Sequence, residues 1–80
     1  MCGPPKQLPL DEASTPVWER NKAEVLKALG ASNAKVDYYT WTIGGRGNLF
    51  SFVGTADGKP FSAAASRDAF PSEFEGASWL

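Results

Sequence analysis

From Tyr38 to Val53 the chain alternates large apolar and short polar residues with a period of two, broken once by Gly44-Gly45-Arg46-Gly47. That period puts every second side chain on one face of a strand, so the pattern predicts two β-strands joined by a glycine-rich turn. Half of the aromatic residues, Tyr38, Tyr39, Trp41, Phe50 and Phe52, lie in this hairpin, which must therefore carry the core. A turn made of Gly44 to Gly47 sets Trp41 opposite Phe50 and Tyr39 opposite Phe52. It gathers four aromatics and Ile43 on one face, and Val36, Tyr38, Thr40, Thr42, Leu49, Ser51 and Val53 on the other. A turn that also takes in Asn48 pairs Ile43 with Leu49 and Trp41 with Ser51, and brings Tyr38, Thr40 and Thr42 to Phe50 and Phe52. One residue of slip turns every side chain of a strand over. The first register is preferred, because direct aromatic pairs across an antiparallel sheet stabilise by roughly 0.2–1 kcal/mol each.

Upstream of the hairpin the period changes to that of a helix. Trp18, Val25 and Leu29 fall on one stripe with Leu26 beside it, Glu19, Arg20, Glu24 and Lys27 fall opposite, and Asn21 and Lys22 lie at the margins. Thr15 before Pro16 reads as a cap followed by proline at the first helical position, and Gly30 as the left-handed stop, so the helix is predicted over Pro16 to Leu29. Residues 1–13, with Pro4, Pro5 and Pro9, show no apolar period and read as a flexible proline-rich arm with Leu8 and Leu10 as its anchors; residues 14–80 read as a single α+β domain.

Downstream, Ala56-Asp57-Gly58-Lys59 predicts a tight second hairpin with Thr55 opposite Pro60, Gly54 opposite Phe61 and Phe52 opposite Ala63. Pro60 has no N–H for a ladder, which suggests that this third strand is an edge. Pro71 suggests a short helical turn over Ser72 to Glu75, ended by Gly76, within a tail that carries Phe70, Phe74, Trp79 and Leu80 back over the open side of the sheet. The predicted fold is α+β: one N-terminal helix packed on a three-stranded antiparallel β-meander, with a short C-terminal helical turn or tail.

Composition narrows the chemistry. The 80 residues hold no histidine and one cysteine, Cys2, which removes imidazole catalysis, histidine- or cysteine-ligated metals and an internal disulfide. A net charge of −1 argues against direct nucleic-acid binding, and no apolar run is long enough to cross a bilayer. The remaining carboxylates, Asp37, Asp57, Asp68, Glu73 and Glu75, form no pair with the spacing of an acid–base site. These features indicate a cytoplasmic, non-enzymatic protein without a cofactor. The glycine-rich turn matches neither a phosphate loop nor a dinucleotide fingerprint, since a strand and not a helix follows it. Arg46 at its tip is nevertheless suited to fork onto a carboxylate or phosphate.

Two resemblances bear on function. Arg46-Gly47 followed by Phe50-Ser51-Phe52-Val53 is similar to the strand pattern of RRM and cold-shock domains, which implies a single-stranded nucleic-acid module with an aromatic sheet face as the alternative reading. Asn21-Lys22-Ala23, Val25-Leu26 and Ala28-Leu29, then a strand entering at Val36, then Gly44-Gly45 and Gly47 and a second strand, resemble small phage and mobile-element helix-plus-meander proteins, and are similar to type I anti-CRISPR proteins. This resemblance implies an inhibitor in the bacterial host cell that occupies a larger protein or ribonucleoprotein complex, such as a CRISPR effector complex, and prevents target DNA binding. Apart from the resemblance, the short edge strand expected over Phe61 to Ala65 offers an open sheet edge to a second copy, so a monomer or weak homodimer is expected. The partner-contact residues expected are Arg46, Tyr38, Asn48 and Lys22, with Asp68 and Glu73 as candidate phosphate mimics.

Overall fold

The computed structural model describes residues 7–44, 47–66 and 74–80. One helix, α1 (Thr15–Leu29), is followed by four strands, β1 (Ala34–Gly44), β2 (Gly47–Ala56), β3 (Lys59–Ser66) and β4 (Phe74–Trp79). The strands form one antiparallel sheet in the order β1-β2-β3-β4. The fold is thus α+β as expected, with four strands instead of three. β3 lies inside the sheet rather than at its edge, and Pro60, which cannot donate, accepts from the Leu80 N–H at 3.1 Å. The segment expected to turn helical after Pro71 is extended from Phe74, and Gly76 pairs with Ala64 instead of ending a helix. Pro71, Ser72 and Glu73 lie outside the described residues.

The first hairpin adopts the aromatic-pairing register, with Trp41 opposite Phe50, Tyr39 opposite Phe52 and Gly44 opposite Gly47. A register shift between Val36 and Tyr38 moves Val36 from the outer face, where strict alternation puts it, to the helix side opposite Gly54. One extra residue in a strand, here Asp37, has this effect. Gly54 is needed beside the bulge, because a Cβ there would overlap the Lys35 carbonyl and lie 2.8 Å from Val36 Cα. In the second hairpin Asp57 (φ 50°) and Gly58 (φ 83°) take the paired positive φ of a type I′ turn. The Asp57 carboxylate accepts the Ser32 and Asn33 N–H groups at 3.0 Å each, tying this turn to the loop that leaves α1.

The helix ends as predicted at Gly30 (φ 69°), whose N–H returns to the Leu26 and Lys27 carbonyls. At its start Ser14, not Thr15, holds the cap position, and its hydroxyl is used elsewhere. Asp11 Oδ1 accepts from the Ala13 and Ser14 N–H groups and from the Ser14 hydroxyl, each at 3.0 Å. The buried helix face comprises Val17, Trp18, Asn21, Val25 and Leu29, so Asn21 lies inside rather than at the margin, with its amide donating to the Val17 carbonyl at 2.8 Å. This face packs on β3 and β4, where Ala63 and Ala65 leave it room. Trp18 meets Phe52 and Phe61 at ring-centre distances of 5.4 and 6.1 Å, and Tyr39, Phe50, Phe52 and Phe61 are sealed from solvent. Leu8 and Leu10 of the arm pack against the same core. Leu8 also exchanges both backbone hydrogen bonds with Tyr39, at 2.9 and 2.7 Å, along the free edge of β1.

Candidate interaction surface

Direct cross-strand partners share a face. The helix side therefore carries Tyr39, Trp41, Phe50, Phe52, Phe61, Ala63 and Ala77, and the opposite face carries Tyr38, Thr40, Thr42, Leu49, Ser51, Val53, Ser62, Ala64, Gly76 and Ser78, with Lys35, Thr55 and Pro60 at one end and Ser66 at the other. Lys35 is its charged residue and is exposed, whereas Ser66 is buried. The described part of the tail, Phe74–Trp79, joins the sheet as its edge strand β4. An open depression of about 400 Å³ on the β3–β4 half is lined by Ser51, Ser62, Ala64, Glu75, Gly76 and Ser78. Tyr38, Leu49 and Val53 stand on the β1–β2 half.

A second surface lies at the far end of the first hairpin. The core covers Tyr39 and Phe50 but leaves Trp41 44% exposed. Its ring rests on Phe50 at 5.7 Å, and its indole N–H donates to Asn48 Oδ1 at 2.9 Å. Trp41 is thus a large apolar side chain held in one orientation in contact with water. Sequence reasoning missed it by assigning the whole aromatic face to the core. The signal available was its position toward the end of an 11-residue strand, further than one 15-residue helix can cover.

The expected contact residues do not converge on one site. Tyr38 stands half-buried on the outer face, Asn48 lies at the hairpin end on the helix side, and Lys22 is half-buried on α1. Arg46, Asp68 and Glu73 lie outside the described residues. Among the described residues no group of His, Cys, Asp or Glu is arranged to hold a metal, and no helix is long and apolar enough to cross a membrane. The depressions beside α1, lined by Glu12, Ala13, Pro16, Val17 and Arg20 or by Leu10, Asp11 and Thr15, are open and bring together no acid–base pair.

The most polar constellation is structural. Tyr39 Oη donates to Asp11 Oδ2 at 2.7 Å, while Oδ1 of the same carboxylate organises the helix start. The Tyr39 hydrogen bond, followed by the Ser14 backbone, holds the Asp11 carboxyl below the usual aspartate range. Burial, reinforced by Asp11, pushes the Tyr39 phenol above its ordinary value. Compared with protein-family models, curated proteins and solved structures, the chain matches none.

Proposed function

We propose that this protein is a non-enzymatic binder that occupies a surface of a larger macromolecular complex and blocks it, in the manner of an anti-CRISPR inhibitor that prevents target DNA binding. The observation that carries the binding part is Trp41. Interface hot spots are rich in tryptophan, and one already fixed by a neighbour loses little conformational freedom on binding. Here Phe50 and Asn48 fix the ring before any partner arrives. Arg46 at the neighbouring turn is the expected charged contact of the same hairpin end. The choice of a CRISPR effector as target rests on the helix-plus-meander resemblance.

The aromatic-sheet reading gains nothing from this arrangement. Phe50 and Phe52, the residues that would stack on bases, are 0% and 1% exposed.

The test is capture of partners from a bacterial lysate containing a CRISPR effector complex, with the wild type and Trp41→Lys as baits, washed with and without nuclease. A protein complex that survives nuclease on the wild type and is lost on Trp41→Lys supports the proposal. The captured effector should then lose its binding to target DNA. Recovery of nucleic acid alone, or equal capture by both baits, overturns it.

A further inference from the structure

We infer that Asn48 is a positioning residue for Trp41, and that the partner receives the indole in a dry, apolar pocket that offers its N–H no acceptor. The inference rests on the reading of Trp41 as the residue that engages the target, and it names the chemistry of the surface Trp41 meets.

Placement comes first. Trp41 pairs with Phe50, and Asn48, which pairs with Ile43, stands two residues before Phe50 on the same face. Diagonal neighbours across an antiparallel pair lie about 7–8 Å apart, within reach of long side chains. Asn48 Oδ1 accordingly accepts the indole N–H at 2.9 Å, while the Phe50 ring supports the indole at 5.7 Å. An indole has one polar group, a donor. Trp41 is thus half open to water with that donor already paired inside the hairpin.

Energetics decide what such a ring fits. In water the bond adds little, because solvent would satisfy the same N–H. On docking the solvent leaves. An indole N–H without an acceptor then bears the cost of desolvation, whereas one that brings its own acceptor does not. The bond also strengthens as water is excluded around it. An acceptor in the partner's pocket gains nothing from Trp41, because the N–H is occupied and that acceptor is itself left unpaired. Asn48 therefore biases the hairpin end toward an apolar pocket and against a polar one, which is how a site discriminates between partners of similar shape. Expected from the sequence to touch the partner, Asn48 acts on it through Trp41 instead.

The test is a double-mutant cycle read as affinity for the nuclease-resistant complex captured by the wild-type bait. Asn48→Ala is expected to weaken binding roughly tenfold or more, with the melting temperature changed little. Trp41→Phe has no N–H to satisfy, so it is expected to retain part of the affinity that Trp41→Lys loses, and Asn48→Ala added to it is expected to have no further effect. In the free protein, solvent exchange of the Trp41 indole N–H, followed by NMR, should be faster in Asn48→Ala than in the wild type. Equal exchange in the two overturns the inference without any partner. Unchanged or tighter binding by Asn48→Ala overturns it too, because the partner then supplies the acceptor. So do equal losses from Asn48→Ala in the Trp41 and Trp41→Phe backgrounds, because Asn48 then touches the partner directly. In these outcomes Trp41→Lys still loses the complex, and the hairpin end stays the binding site. Capture by Trp41→Lys equal to that by the wild type instead overturns the proposed function and the inference together.

Discussion

One carboxylate joins the arm, the helix start and the sheet. Asp11 Oδ1 serves Ala13 and Ser14, and Oδ2 accepts the Tyr39 hydroxyl, so protonating Asp11 or ionising Tyr39 breaks the same contact. The Asp11 carboxyl is depressed below 3.8, so its contribution to stability is complete above that value and is lost as pH falls through the lower, folded one. The Tyr39 phenol is raised above 10.0, so its contribution is complete below pH 10 and is lost as pH rises through the higher, folded value. Melting temperature followed against pH should fall at both extremes, and Tyr39→Phe should lose the alkaline fall and weaken the acid one. In a Tyr38→Phe background, the phenolate absorbance of the remaining tyrosine should appear only above pH 10. Gly54 is constrained differently, by close approach of backbone. In Gly54→Ala the new methyl meets the Lys35 carbonyl and Val36 Cα, neither of which can swing away. Its cost should lie toward the upper end of the roughly 1–3 kcal/mol typical of overpacking, read from the urea midpoint.

The elements that could be read in the sequence are those that local chemistry determines. The Asp57-Gly58 turn, the Gly30 stop and the Trp41-Phe50 register rest on positive φ and aromatic pairing between near neighbours, and all three hold in the structure. β4 was not legible. A register shift between Ala64 and Ala65 leaves Glu75 outside the pairing, so Phe74, Ala77 and Trp79 do not keep a period of two. The bulge at Asp37 hid the true face of Val36 in the same way. Trp41 was misread for a tertiary reason, because which end of a sheet a helix covers is decided by packing and not by the strand's own pattern. Asp57 shows how a turn former also acts at a distance. Its two bonds to Ser32 and Asn33 link the helix exit to the second hairpin. Asp57→Ala loses both bonds and puts alanine at φ 50°. A loss of about 2–3 kcal/mol is expected in urea melts, with Asp57→Asn recovering part of it, since asparagine tolerates positive φ and keeps one acceptor.

At the scale of the whole molecule, the sheet works as a partition. Its helix side is filled by Trp18, Val25 and Leu29 over β3 and β4 and by Leu8 and Leu10 of the arm, and leaves Trp41 at the hairpin end and Trp79 at the end of β4 in contact with water. Its other side carries short polar and small residues with Lys35 at one end and Glu75 in the depression. Substitution at the hairpin end should act on binding alone. Trp41→Lys is expected to abolish capture of the target complex at unchanged melting temperature, because the ring already meets water in the free protein and little packing is lost with it. Capture that persists in Trp41→Lys would remove the hairpin end from the interface.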